Sequence, residues 1–94
     1  MRKVEVGRVK DGDSFAGKNG ERFRMTNYDA PEKGKPYSNI ATDYLERKIG
    51  GQTVGVETHG KDKFGRTLVT VYAPGQKSSV NDSAQRNLDR KRNG

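Results

Sequence analysis

Ninety-four residues allow one small domain, and with hydrophobic residues at 29% and charged residues at 33% its core must be thin and set by patterning. The absence of cysteine and the single histidine exclude a disulfide framework, a thiolate metal centre and a histidine-rich zinc site, so any metal would be a hard cation, Ca²⁺ or Mg²⁺, held by oxygen. The formal net charge of +7 points to a polyanionic partner, of which nucleic acid is the commonest.

In chain order, Val4, Val6 and Val9 alternate with polar residues over 3–10, and the alternation slips near Gly7, which predicts a strand with a bulge. After "DGDSF", Asn19-Gly20 lies between Phe15 and Phe23 and predicts a hairpin. Phe23 and Met25 then share one strand face and Arg22 and Arg24 the other. Residues 30–36 read as a loop with two prolines. From Ser38 to about Ile49 the period becomes helical, with Ala41, Leu45 and Ile49 four apart, Ser38 as N-cap and Gly50-Gly51 as the stop. Val54 and Val56 begin another strand, "HGKDKFGR" reads as a turn, and "TLVTVYA" is the strongest β run. Val80, Ala84 and Leu88 fit one face of a short helix from Asn81, ahead of a frayed "RKRNG" tail. Short strands at regular spacing with a central helix predict a small OB-type barrel, and an α+β sandwich would show the same pattern. No run approaches the roughly 20 apolar residues of a membrane span. The start lacks the apolar stretch of a signal peptide, so a cytoplasmic location without a membrane partner is expected unless a leader has been removed.

Four pieces carry chemistry: "DGDS" at 11–14, Arg24, "DAPE" at 29–32 and "DKFGR" at 62–66. Singly, each reads as a turn or a solvated strand face. Together they supply oxygen ligands for a hard cation, a spare carboxylate and two arginines suited to bidentate phosphate contacts. Tyr28 reads as packing or a site wall, Phe15 and Tyr72 as core, and His59 as a surface residue.

"VKDGDSF", "FRMTNYDAPE", "DKFGRTLVTVY" and "VN" come in the order and approximate spacing of the staphylococcal-nuclease-like (thermonuclease) family, and the chain resembles it over about 3–81. The resemblance implies a mainly β fold with one to two helices, a five-stranded OB-type barrel shortened at the C-terminus. It implies a single domain over 1–94, divergent over 82–94, and a Ca²⁺-dependent phosphodiesterase acting on DNA or RNA, with single strands favoured. Carried over residue by residue, it makes Asp13, Asp29 and the carbonyl of Ala30 metal ligands, with Asp11 close to the metal. Glu32 becomes the general base, Arg24 and Arg66 the phosphate-binding arginines, and Lys63 and Phe64 substrate contacts. Phe64 stands where the family often has Tyr and can stack without donating a hydrogen bond.

The resemblance stops after Asn81. The family continues with further helices and substrate-contacting tyrosines, whereas "DSAQRNLDRKRNG" is polar. Low stability and self-association are therefore expected, and "KGKPY" is short for the loop before the helix. The alternatives to an enzyme are a non-catalytic module of the same fold that binds nucleic acid or protein, and an interaction protein set against a partner enzyme. A pure binder has no need of Glu32 in this register.

Overall fold

Five strands and two helices follow from the pattern, and a computed structural model describes residues 1–93 of the chain. The strands are β1 (Arg2–Asp11), β2 (Ser14–Gly17), β3 (Arg22–Met25), β4 (Thr53–Lys61) and β5 (Thr67–Tyr72), and the helices are α1 (Ser38–Ile49) and α2 (Val80–Asn93). The strands close into a barrel in the order β1-β2-β3-β5-β4. β1 is long enough to pair twice, its first half with β4 and its second with β2. Its register slips between Val6 and Arg8, at the glycine where the alternation breaks. β3 and β5 run parallel and complete the closure.

Inward positions of each strand fill the barrel. Phe15 and Phe23 face each other across the hairpin with ring centroids 5.1 Å apart, and Met25, Val54, Val56, Val69 and Val71 surround them. α1 covers the barrel with Ala41, Leu45 and Ile49, the stripe its four-residue spacing predicts. Among the described residues no helix is long and apolar enough to cross a membrane.

Several elements differ from the sequence expectation. Tyr37 caps α1, in the left-handed region at φ 70°, and no side chain caps the helix. Ser38 is already inside the first turn and is buried there. β4 continues through His59 and Gly60 to Lys61, so the turn shrinks to 62–66. A register shift follows Thr58, and the pairing of Lys61 with Thr67 on β5 keeps the polar stretch in the ladder beyond it. Tyr72 points outward and is only half-buried, because Val69 and Val71 take the inward positions. The polar C-terminal segment forms a 14-residue helix rather than a short helix and a frayed tail. Val80, Ala84 and Leu88 are enough to seat it on the barrel, and Arg90–Asn93 stay helical; Gly94, the last residue of the expected frayed tail, lies outside the described residues.

Asn81 fastens that helix. After Met25 the last backbone bond to β5 runs from the Thr26 N–H to the Val69 carbonyl at 2.9 Å, and beyond it the Asn81 side chain takes over. Its Oδ1 accepts the Val71 N–H at 2.9 Å, and its Nδ2 donates to the carbonyls of Thr26 at 2.7 Å and Val69 at 3.0 Å. Asn81 is 3% exposed, so water cannot replace it. Orphaning a buried backbone group costs about 1–3 kcal/mol. Asn81→Ala is expected to lower stability by at least about 2 kcal/mol, read as a shifted urea midpoint with an unchanged slope. An unchanged midpoint would mean that the side chain contributes no net stability.

Candidate active site

Three chain reversals converge on one cleft of about 430 Å³. The turn after β1 brings Asp11 and Asp13, β3 brings Arg24, the loop after β3 brings Asp29, Ala30, Pro31 and Glu32, and the turn before β5 brings Arg66. Gly12 makes the approach of the first two close. A Cβ there would lie 2.6 Å from the Cβ atoms of both Ala30 and Ala41, so any side chain would push the first turn off the loop and off α1.

The acidic side is tied together by hydrogen bonds. Asp11 Oδ1 accepts from the Asp13 N–H at 3.2 Å and from Ser14 Oγ at 2.6 Å. Asp13 Oδ2 accepts the Ala30 N–H at 3.1 Å and faces Arg24 Nη2 at 3.4 Å. The same Nη2 donates to Asp29 Oδ1 at 2.6 Å, and Nη1 donates to the carbonyls of Met25 and Tyr28. Arg24 is thus fixed between two carboxylates that the sequence separates by 16 positions. Its neighbours differ in exposure: the Asp13 side chain is 13% exposed and that of Asp29 is 92%.

Burial first, and then the hydrogen bond with Asp11, push the Asp13 carboxyl up to about 6, while Arg24 and the Ala30 N–H pull the other way. Burial acts upward on Asp11 too, but the bonds from Ser14 and Asp13 outweigh it and hold Asp11 below the usual range. Raised from its ordinary 3.8, Asp13 favours the fold fully below about pH 4, and that contribution is lost as pH rises through about 6. On acidification from pH 7 to pH 5, the wild type is expected to gain about 1 kcal/mol of stability relative to Asp13→Asn, the part of the shift from 3.8 to about 6 that falls in this window. Parallel pH profiles would show that Asp13 does not titrate in this window.

The turn before β5 holds its arginine. Asp62 Oδ1 accepts the N–H groups of Phe64 and Arg66, each at 2.9 Å, and Oδ2 accepts Arg66 Nε at 2.8 Å. Gly65, at φ 80°, allows the reversal. Phe64 is 61% exposed, with Lys63 Nζ 5.3 Å and Arg66 Cζ 5.6 Å from its ring centroid. Glu32 is exposed and lines the cleft, and among the described residues its carboxylate has no hydrogen bond or ion pair.

The cleft therefore collects Asp11, Asp13, Arg24, Asp29, Ala30, Glu32 and Arg66, while Lys63 and Phe64 sit on the turn beside it. At Ala30 the visible contact is made by the N–H, which orients Asp13. Asp62 is the residue whose role sequence reasoning missed. An acid four positions before Arg66 at the mouth of a hairpin was its only signal. Tyr28 is a buried wall of the core, its hydroxyl pushed up to about 12 by burial and then by the Asp13 charge. His59 is outside the cleft and exposed, with Nε2 2.8 Å from Thr70 Oγ1.

The family model described as Staphylococcal nuclease homologue matches residues 22–87. The chain belongs to the staphylococcal nuclease family. An uncharacterized endonuclease of Escherichia coli O157:H7 is 40% identical to it over 72 residues, covering 73% of this chain and 47% of that protein. A micrococcal nuclease of Shigella flexneri is 37% identical over 73 residues, 74% of this chain and 42% of the relative. An uncharacterized endonuclease of Haemophilus influenzae is 30% identical over 80 residues, 81% and 44% respectively. The chain thus spans less than half the length of these curated relatives. The stretch matched by the nuclease-family model holds Arg24, Asp29, Glu32 and Arg66, whereas Asp11 and Asp13 precede it and join them through the pairing of β1 with β2 and of β2 with β3.

Proposed function

We propose that this chain is a Ca²⁺-dependent nuclease that hydrolyses phosphodiester bonds of DNA or RNA by attack of water. The observation that carries this reading is the convergence on one cleft of Asp13 and Asp29, of Glu32, whose carboxylate has no partner among the described residues, and of Arg24 and Arg66. The donor chemistry suits a hard cation: Asp13 and Asp29 offer only oxygen, and both reach the same guanidinium nitrogen of Arg24. Among the described residues no three acidic, histidine or cysteine side chains cluster as a metal site, so the Ala30 carbonyl and water would complete the shell. Ca²⁺ bound there would supply Lewis-acid polarisation of a phosphoryl oxygen.

The chain's own residues do the rest. Glu32, whose carboxylate has no partner among the described residues, accepts the proton of the attacking water. Arg24 and Arg66 bind the non-bridging phosphoryl oxygens, whose charge grows as phosphorus becomes five-coordinate. Lys63 and Phe64, beside the cleft, contact the substrate strand. The test is incubation with single-stranded DNA and with RNA in Ca²⁺ or in EGTA. Cleavage in Ca²⁺ that EGTA abolishes is expected, and full activity in EGTA would remove the metal from the mechanism. Tight binding without turnover in saturating Ca²⁺ would leave a nucleic-acid-binding module instead.

A further inference from the structure

The alternation of β3 leaves one arginine outside the proposed chemistry. Phe23 and Met25 are buried, so Arg22 and Arg24 share the outer face, about 6.6 Å apart along the strand. Arg24 lines the cleft and Arg22 does not. Arg22 pairs with Ala16 on β2, and Ala16 pairs with Arg8 on β1. This row sets two guanidinium side chains on either side of a single methyl group. The next row on the same face, past a register shift in β1, is Asp11, Ser14 and Arg24, which belongs to the cleft.

The small Ala16 leaves a groove of about 250 Å³ along these strands. Arg8, Lys10, Arg22 and Arg66 line it, and no carboxylate does. Ser14, Phe15, Ala16 and Phe23 complete its lining, with Ala16 between the two arginines and the Phe15 and Phe23 rings buried in the barrel beneath. Arg66 lines both the groove and the cleft, so the two are continuous. At the junction, Arg22 Nη2 donates to the Phe64 carbonyl at 2.5 Å, which leaves the rest of its guanidinium available. Three exposed or half-exposed cations in file, leading into Arg66 without an acid among them, suit an extended polyanion better than a single small anion.

We propose that this groove is the track for the phosphates that flank the scissile one on a single nucleic-acid strand, with Arg8, Lys10 and Arg22 as their cationic partners. The proposal rests on the nuclease reading for the role of the cleft and extends it to substrate length: chains that reach the groove are held more tightly than a dinucleotide confined to the cleft.

The experiment measures fluorescence anisotropy of a labelled oligothymidylate of eight nucleotides and of a dinucleotide, in the Glu32→Gln background with Ca²⁺, across a salt series. Arg8→Gln with Lys10→Gln is the first variant, and Arg22→Gln is a second that leaves β1 untouched. Both changes of the first variant are at exposed positions. Losing two phosphate contacts on a single strand flattens the log–log salt slope by about 1.4. The first variant is therefore expected to weaken octanucleotide binding about tenfold and to lose most of the preference over the dinucleotide, while Arg22→Gln gives about half that change in slope. Unchanged slopes and preference in both variants would overturn the proposal. Turnover is followed separately in the chain with Glu32 intact. Flattened slopes without turnover would support the groove and sink the nuclease reading. Turnover with unflattened slopes would do the reverse.

Discussion

Replacing Glu32 by glutamine is expected to lower the rate of phosphodiester cleavage by roughly 10²–10⁴-fold, the usual scale for a positioned acid–base group. The change keeps the shape of the side chain and removes its basic carboxylate. Two observations make the result interpretable. Glu32 has no hydrogen bond or ion pair to another described side chain, so nothing in the fold depends on its charge. Its neighbours Asp13 and Asp29 are held by Arg24 and by the Ala30 N–H, and those contacts stay in place when Glu32 changes. Melting temperature and Ca²⁺ affinity should therefore barely move while the rate falls. Asp29→Ala is the contrasting variant: it removes an oxygen opposite Arg24 and should weaken Ca²⁺ binding. A Glu32→Gln protein with wild-type turnover would remove Glu32 from proton transfer. If nucleic-acid binding were the whole function, the same change would tighten binding by deleting a negative charge.

Legibility in the sequence followed the strength of the local pattern. The strands from Val4, Phe23 and Val69 were readable because apolar residues alternate with polar ones and one face is buried, and the strand from Phe15 because the Asn19-Gly20 hairpin sets it opposite Phe23. α1 was readable because its apolar stripe is bounded by a loop and by two glycines. The second half of β4 was not, because "THGK" has no apolar alternation and is held only by pairing with β5. The full length of α2 was hidden for a related reason. Three small or medium apolar residues in fourteen give little signal, and the contact that fastens its start is made by Asn81, a polar residue whose partners lie on other elements. At the site, the order of motifs was enough to name Asp13, Arg24, Asp29, Glu32 and Arg66. What spacing could not supply was their mutual support: the Ala30 N–H on Asp13, Arg24 between two carboxylates, and Asp62 bound to both the backbone and the side chain of Arg66. Those links run between elements that the barrel alone brings together.

Arg66→Lys is expected to cost about 10²–10³-fold in kcat, the scale for losing a donor aimed at developing charge, with a smaller change in KM. Lysine keeps the positive charge and gives up the planar fork. In this structure the fork does two jobs at once. Nε is bonded to Asp62 Oδ2, and no further hydrogen bond of the Arg66 side chain is made among the described residues, which leaves Nη1 and Nη2 for two phosphoryl oxygens. A lysine ammonium has no separate edge for each task. It either pairs with Asp62 and withdraws from the cleft, or reaches the phosphate with nothing to fix its direction. Asp62→Asn isolates the positioning half of this argument. The asparagine oxygen still accepts the backbone N–H groups of Phe64 and Arg66, so the turn survives. The amide nitrogen that replaces Oδ2 is a donor and cannot accept from Nε. Arg66 then keeps its charge and fork but loses its anchor, and kcat should fall by about tenfold while the melting temperature stays near wild type. The expected order of rates is wild type, Asp62→Asn, Arg66→Lys. Equal rates for wild type and Arg66→Lys would show that charge alone serves at this position, and Asp62 would then be a turn residue with no part in the chemistry.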